Sequence, residues 1–469
     1  MPDPMTRRTF LGTAAAIGAA TCVPALAAPP SRRLIIGRRT IEVLGRPAEV
    51  YGVTDGNGRS GLLLEPGERF SVAMQNALDE PTTVHWHGMT PTPELDGIAE
   101  TGYVASLAAG EVRNFDFVPR PGTHWMHSHH GLQEQSLLTA PLIVREADGL
   151  DAQEVTVLLN DFSFRDPAEI LAGLTGQGGM AGMDHGSMGG GTAPMDHSAM
   201  AGMDLNDVEY DAFLANDRTL DDPEIIRIER HGRVRLRIIN GASATAFWID
   251  LEAREATVLA VDGNRVQPVT GSRFPLAQAQ RLDLLLEVPV GAVVPVFARR
   301  EGDVARTGII LAAPGAQIEK YAGASEAAEA PVDMSLEQRL IADTPLGSRP
   351  VDHQLMVMLG GAMTPYTWTL NERTWQQRQR LEVKPGQRVA LEFMNHSMMA
   401  HPMHLHGHHF QVTGINGTPI AGAMRDTVLV PPMGSVSVAF DADNPGRWLY
   451  HCHNLYHMMA GMMSELVYV

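Results

Sequence analysis

Cysteine is nearly absent from this sequence, with 2 among 469 residues. Basic residues are also few, since 36 Lys and Arg stand against 54 Asp and Glu and give a formal net charge of -18. This balance argues against nucleic acid as a partner. No apolar run reaches the roughly 20 residues that a membrane-spanning helix requires, so we expect no membrane span. The sequence is instead rich in His and Met, with 19 and 25 residues.

The N-terminus has the features of an export signal. Arg7 and Arg8 form a twin-arginine motif, an apolar stretch follows them, and Ala25-Leu26-Ala27 is a small-residue cleavage pattern. Residues 1–27 are therefore predicted to be a signal peptide read by the twin-arginine (Tat) export machinery, which delivers the protein to the periplasm. Its removal takes Cys22 away and leaves Cys452 as a single thiol. No internal disulfide can then form, and we expect a metal to occupy the sulfur.

An internal repeat divides the rest of the chain. A turn glycine, an alternating apolar strand and a final Asn occur at 67–76, 232–240 and 386–395. Other short runs near period two lie between Pro and Gly turns, which is typical of β-sandwiches. We predict an all-β fold of three related sandwich domains. Their predicted bounds are residues 28–150, 151–315 and 349–469, with a linker at 316–348.

Residues 173–206 interrupt the middle domain. They consist largely of Gly, Met, Ala, Asp and His and show no apolar periodicity. This composition predicts a Met-rich disordered insertion.

Histidines form four pairs with one residue between the two members, at matching places in the outer domains. His85 follows Asn76 by nine residues, and His404 follows Asn395 by the same nine. Because side chains alternate along a strand, both imidazoles of a pair lie on one face and can chelate a metal. The pairs are His85/His87, His127/His129, His404/His406 and His451/His453. The middle domain has no such pair, so we predict that it binds no metal.

Cys452 lies between His451 and His453, so its side chain is expected on the opposite face of the strand. The available partners there are His401, His457 and Met462. The imidazole pairs alone suit copper, zinc, iron or nickel, whereas two imidazoles, a thiolate and a weak thioether are the donors of a blue-copper site. The sequence therefore predicts an electron-transfer copper one residue away from a second metal cluster.

These motifs closely resemble the four copper-ligand motifs of the multicopper oxidases. The resemblance implies three cupredoxin-like Greek-key domains and four copper ions: one of type 1, one of type 2 and a type 3 pair. By position, type 1 copper takes His401, Cys452, His457 and Met462, and type 2 copper takes His85 and His404. The type 3 coppers take His87, His127 and His453, and His129, His406 and His451. Copper-free relatives that keep the fold as a structural module match poorly, because every ligand position is filled.

Segments 129–135 and 210–218 and the Met-rich insertion look like those of the bacterial copper-resistance oxidases. The resemblance implies that a reductant is oxidised at type 1 copper and that O₂ is reduced to water at the trinuclear centre. Asp96 matches an acidic position that family members place beside this centre, where it would supply protons. Met458 stands where some relatives have a second acid.

The sequence leaves the reductant open. Thioether sulfur selects Cu(I), and Met residues in the insertion and near the type 1 motifs favour cuprous ion as the substrate. Those near the motifs are Met394, Met398, Met399, Met403, Met458, Met459 and Met463. Met also fills ordinary cores, so a laccase acting on phenols is the alternative. A non-catalytic periplasmic copper-binding protein is a further one. We expect a monomer.

Overall fold

The computed structural model describes residues 30–176, 205–229 and 232–469. The predicted signal peptide, residues 1–27, lies outside the described residues, and so does most of the predicted insertion at 173–206. Within the described residues, no helix has both the length and the apolar character needed to cross a membrane.

Residues 32–144 form the first sandwich. Its strands are β1 (Arg32–Val43), β2 (Arg46–Asp55), β3 (Leu62–Leu64), β4 (Phe70–Asn76), β5 (Val84–His87), β6 (Val112–Phe117), β7 (Gly122–Ser128) and β8 (Thr139–Val144). One sheet has the order β2-β1-β4-β6 and the other β3-β8-β7-β5. Apolar side chains of both sheets, among them Phe70, Trp86 and Leu142, meet in one buried core.

Residues 153–312 form the middle sandwich. Its strands are β9 (Gln153–Phe162), β10 (Ala212–Ala215), β11 (Ile225–Arg227), β12 (Arg233–Asn240), β13 (Phe247–Asp250), β14 (Ala256–Val261), β15 (Asn264–Gly271), β16 (Arg273–Leu276), β17 (Arg281–Glu287), β18 (Val293–Arg300) and β19 (Arg306–Ala312). The sheet orders are β10-β9-β12-β17-β14-β15 and β11-β19-β18-β13-β16. Both sheets contribute to a second core.

Residues 353–468 form the third sandwich. Its strands are β20 (His353–Met363), β21 (Tyr366–Leu370), β22 (Leu381–Val383), β23 (Arg388–Asn395), β24 (His401–Leu405), β25 (Phe410–Ile415), β26 (Thr418–Pro419), β27 (Met424–Arg425), β28 (Thr427–Val430), β29 (Ser435–Asp441), β30 (Arg447–Cys452) and β31 (Met463–Tyr468). One sheet has the order β21-β20-β23-β29-β25-β26, with β27 on β25, and the other β22-β31-β30-β24-β28. The prediction of an all-β fold of three sandwiches is confirmed.

Helices are short in the described chain. The α-helices are α1 (Pro167–Leu174) and α2 (Leu455–Met459), and 3-10 turns occur at Pro93–Leu95, Glu337–Arg339 and Trp375–Gln377. The side chain of Asn454 caps α2 by accepting hydrogen bonds from the backbone N–H groups of Tyr456 and His457. This cap fixes the turn that follows β30 and directs His457 back toward Cys452.

The sequence repeat corresponds to one structural unit. β4, β12 and β23 each pair in parallel with the strand that opens the sandwich and antiparallel with a later one. The final Asn of each strand is buried and bonds backbone groups of the loops beyond it. An Asn amide can satisfy a donor and an acceptor at once, which explains the same residue at all three positions.

The stretch predicted as a linker, 316–348, packs against two sandwiches. Val332 and Met334 enter the core of the third sandwich, whereas Leu336 and Leu340 enter that of the middle one. Glu337 is also buried and pairs with Arg425 of β27. These contacts tie the middle and third sandwiches together.

Candidate metal centres

Three predicted type 1 donors meet inside the third sandwich. Cys452 Sγ lies 3.5 Å from Nδ1 of His401 and 3.6 Å from Nδ1 of His457, and the two nitrogens are 3.1 Å apart. All three side chains are fully buried. Burial raises the pKa of the Cys452 thiol well above its usual range, so a bound cation is what would favour the thiolate. A thiolate with two imidazole nitrogens fits copper.

Adjacent strands bring these donors together. His401 opens β24, Cys452 ends β30, and the two strands pair with Met403 opposite Cys452. The fourth predicted donor, Met462, is fully buried in the same core. Its backbone oxygen accepts a hydrogen bond of 3.1 Å from the Cys452 N–H. Three of the four predicted donors are therefore gathered at one end of this sandwich, and the backbone of Met462 adjoins Cys452 there.

The outer nitrogens of both type 1 histidines have partners that the sequence did not reveal. Ser397 Oγ lies 2.8 Å from His401 Nε2, and the Asp207 carboxylate lies 2.8 Å from His457 Nε2. Tyr366 and Asn454 donate to the same Asp207 oxygen. Burial alone would raise the pKa of Asp207, but the adjacent His457 and these hydrogen bonds lower it. Asp207 is thus a buried, ionised acceptor, and no motif or spacing marked it.

The eight paired histidines converge between the first and third sandwiches. The ring centroids of His87 and His404 are 3.8 Å apart, and those of His85 and His406 are 3.9 Å apart. Their ligand atoms form three buried groups, each within 4.8 Å, namely His85/His87/His404, His87/His127/His453 and His129/His406/His451. The predicted type 2 pair and both predicted type 3 triads are therefore each brought together. Within the described chain, no residue of the middle sandwich belongs to these groups.

The protonation of these imidazoles suits metal binding. Burial, reinforced by neighbouring histidines or cations, lowers the pKa of most of them well below the usual range, and that of His453 to about 3. A neutral imidazole keeps the lone pair that a metal requires. Within the described chain, Nε2 of His85, His127 and His404 and Nδ1 of His87 have no hydrogen-bond partner. Buried nitrogens without partners are costly, and bound copper ions fit them.

Asp96 lies behind two of these rings. Its carboxylate oxygens are 2.9 Å from Nδ1 of His406 and 3.3 Å from Nδ1 of His85. Because the Nε2 atoms of both rings point to the opposite side, into the histidine cluster, Asp96 orients a first-sandwich and a third-sandwich imidazole together.

Two further acidic residues, Glu134 and Asp426, also contact one histidine of the first sandwich and one of the third. The sequence did not identify either of them. Glu134 lies 2.7 Å from Nδ1 of His127 and 4.0 Å from Nδ1 of His453. Asp426 lies 3.1 Å from Nε2 of His87, and its backbone oxygen lies 2.8 Å from Nδ1 of His404. Asp96, Glu134 and Asp426 each therefore connect a histidine of the first sandwich to one of the third.

The pKa values of Glu134 and Asp426 are shifted in opposite directions. Burial, with a smaller contribution from Asp161, raises the pKa of Glu134 well above its usual range. Burial alone would also raise the pKa of Asp426, but the Arg281 guanidinium lowers it well below that range. Burial thus favours the protonated form of Glu134, whereas Arg281 favours the ionised form of Asp426. Met458, where the resemblance suggested an acid, packs against Leu455 and Met463 instead.

Comparison with known proteins gives one consistent result. Three family models described as "Multicopper oxidase" match residues 36–149, 154–294 and 348–469. The multicopper oxidase MmcO of Mycobacterium tuberculosis is 34% identical over 98% of this chain and 91% of its own length. Copper resistance protein A of Escherichia coli is 25% identical over 92% of this chain and 91% of its own length.

Solved structures share the fold. Fet3p, described as a multicopper oxidase that functions in iron import, superposes with a TM-score of 0.74 at 18% identity and covers 93% of this chain and 90% of its own. The laccase from Botrytis aclada gives a TM-score of 0.75 at 20% identity, over 93% and 87% of the two chains. With its buried Cys–His and His clusters, the chain belongs to the multicopper oxidase family and is an oxidoreductase with copper as its cofactor.

Proposed function

We propose that this oxidase carries four copper ions and couples the oxidation of Cu(I) to the reduction of O₂ to water. The observation that carries the proposal is the pair of buried donor clusters joined by three consecutive residues, His451, Cys452 and His453. The type 1 site comprises His401, Cys452, His457 and Met462. The type 2 ion takes His85 and His404, and the type 3 pair takes the two triads described above.

Copper bound in these clusters would supply one-electron oxidation at the type 1 site and O₂ reduction at the trinuclear site. The chain provides a short connection between them. Cys452 is covalently linked to both His451 and His453, and its backbone oxygen lies 2.9 Å from Nδ1 of His451. Because all three residues are buried, water is kept from this connection.

The trinuclear side also needs protons, and two nearby acids are candidates to provide them. Glu134, whose pKa is raised by burial, lies against His127 and His453. Asp96 lies against His85 and His406 on another side of the cluster. We propose both as proton donors, with Glu134 serving in place of the acid that is missing at position 458.

Exposed methionines support Cu(I) as the reductant. Of the methionines that the sequence places near the type 1 motifs, Met399, Met403, Met458 and Met463 are buried and serve as core, and Met394 and Met398 are partly buried. Met459 is 40% exposed, and two methionines outside that set, Met363 and Met433, are 43% and 62% exposed.

Each of these three exposed residues is connected to a type 1 histidine through neighbouring residues. Met433 N–H bonds the backbone of Ser397, which contacts His401. Met363 pairs with Tyr366, whose hydroxyl bonds Asp207 beside His457, and Met459 follows His457 in α2. Thioethers at the surface over an electron-entry site suit a soft Cu(I) ion.

The test compares Cu(I) and phenol oxidation by one copper-loaded preparation. Replacing Met363, Met433 and Met459 by Leu in one triple variant should lower kcat/KM for Cu(I) by about tenfold. Loss of a residue that supports metal binding typically weakens metal affinity by about that factor. Phenol oxidation should change less than twofold. Met356→Leu is the matched control, because Met356 is 54% exposed on the same sheet but about 20 Å along β20 from Met363.

The outcomes separate the alternatives. Equal effects on both substrates would favour the laccase acting on phenols. Copper binding without oxygen uptake with either substrate would favour the non-catalytic copper-binding protein. We also propose a periplasmic monomer exported through the Tat machinery, with domain bounds at 28–150, 151–315 and 349–469, a linker at 316–348 and the insertion at 173–206.

A further inference from the structure

His87 is oriented differently from the other paired histidines. Seven of the eight turn Nδ1 toward a carboxylate or backbone oxygen outside the cluster. His87 instead turns Nε2 outward, to Asp426 Oδ1 at 3.1 Å and Thr427 Oγ1 at 3.1 Å, and leaves Nδ1 facing inward. The outer acceptors, Asp426 and Thr427, hold Nε2 of His87 on the outside of the cluster. Their fixed position therefore decides that Nδ1 is the nitrogen that His87 offers to a metal.

Asp426 is itself held from the middle sandwich. Arg281, the first residue of β17, is fully buried. Its Nη1 donates to Asp426 Oδ1 over 2.8 Å, and its Nη2 donates to Oδ2. A guanidinium bound to both oxygens fixes the plane of a carboxylate, which a single hydrogen bond does not.

Arg281 has little freedom to move. Its Nε donates to the backbone oxygen of Thr123 in β7 over 3.3 Å, and Nη1 also donates to Ala279 over 2.8 Å. A Cβ atom added at Gly88 would lie 2.7 Å from Nη2. The residue after His87 must therefore be small for the guanidinium to reach Asp426.

We propose that Arg281, from a sandwich whose described residues include none of these metal donors, is a positioning residue of the trinuclear centre: it holds Asp426 in the plane that makes His87 present Nδ1. The proposal rests on the four-copper function above. It gives the middle sandwich a direct part in building a centre whose donors all come from the other two.

The test is Arg281→Met in the copper-loaded full chain, read by electron paramagnetic resonance (EPR) and total copper. A coupled type 3 pair is invisible to EPR. Because loss of such a supporting partner weakens metal binding by about 10- to 100-fold, the EPR-visible fraction of copper should rise up to about 2-fold, or type 3 copper should be lost. The blue absorption and the type 1 potential should be unchanged, since Arg281 contacts neither His401 nor His457.

Arg237→Met is the matched control. Arg237 is also fully buried in the middle sandwich and ion-paired, with Glu146, Glu154 and Asp283, but it contacts no histidine within the described chain. The Arg237→Met variant should have a lower melting temperature, while its EPR-visible fraction of copper stays at the wild-type value. The same result for Arg281→Met, with stability lost but total copper and the EPR-visible fraction both at the wild-type values, would overturn the proposal.

Arg281→Lys serves if the Met variant does not fold. An ammonium keeps the charge but does not hold both Asp426 oxygens in one plane, so an intermediate rise in the EPR-visible fraction is expected. Wild-type total copper together with a wild-type EPR-visible fraction in this variant would overturn the proposal. A wild-type protein with no EPR-silent copper would instead overturn the four-copper function, and this inference with it.

Discussion

Replacing Asp207 with Asn should raise the reduction potential of the type 1 copper. The Asp207 carboxylate lies 2.8 Å from His457 Nε2, and its side chain carries a negative charge and is fully buried. A negative charge beside the imidazole stabilises Cu(II) more than Cu(I), because Cu(II) carries the additional positive charge. Asn has nearly the same shape and keeps an oxygen acceptor, so the substitution removes mainly the charge.

The magnitude follows from the distance. Through the imidazole ring, the carboxylate oxygen lies about 7 Å from a copper bound at Nδ1, given metal–nitrogen bonds near 2 Å. With an effective dielectric constant of about 20, one unit charge at about 7 Å is worth about 2.4 kcal/mol. For one electron this equals a rise of about 100 mV.

A redox titration of the blue absorption band measures this shift. Asp283→Asn is the control, because Asp283 is an equally buried carboxylate that pairs with Arg235 and Arg237 and contacts no histidine in the described chain. It should leave the midpoint unchanged. An unchanged or lowered midpoint in Asp207→Asn would refute the reasoning and would mean that the Asp207–His457 contact carries no charge effect.

Three further variants test separate parts of the account. Cys452→Ser should abolish the blue colour and turnover, and full oxidase activity in that protein would disprove the type 1 assignment. Gly88→Ala should cost about 1–3 kcal/mol of stability, because its φ is +93° and a Cβ would lie 2.3 Å from His124 Nδ1; an unchanged melting temperature would contradict the geometry. Lys at positions 7 and 8 should strand the precursor in the cytoplasm, which fractionation would show.

The sequence was informative where chemistry follows the period of a strand. The His-x-His pairs and the intervening Cys452 predicted two donor sets on opposite faces. β5 contains both histidines of its pair, and β7, β24 and β30 each end one residue before the second histidine of theirs. The three repeats likewise indicated three sandwiches. In each case, the signal is local, because alternation and turn residues are properties of a few neighbouring residues.

The supporting carboxylates could not be found in this way. Asp426 bonds a histidine 339 residues earlier in the chain, and Asp207 meets His457 only after the middle and third sandwiches have docked. No spacing encodes such contacts. The methionines show a related limit, because Met403 and Met459 look alike in the sequence, yet one is fully buried and the other is 40% exposed.

The carboxylates that contact histidines of both the first and the third sandwich also determine the stage of chain synthesis at which the protein can bind copper. Asp96 can contact His406 only after 310 further residues have been synthesised, and His87 can contact Asp426 only at a similarly late stage. A nascent chain that ends before β24 has four of the eight trinuclear histidines and no type 1 donor, and its imidazoles remain free to take the wrong ion. Tight and selective loading therefore begins only when the C-terminal strands have docked, so that copper retention reports on a completely folded chain.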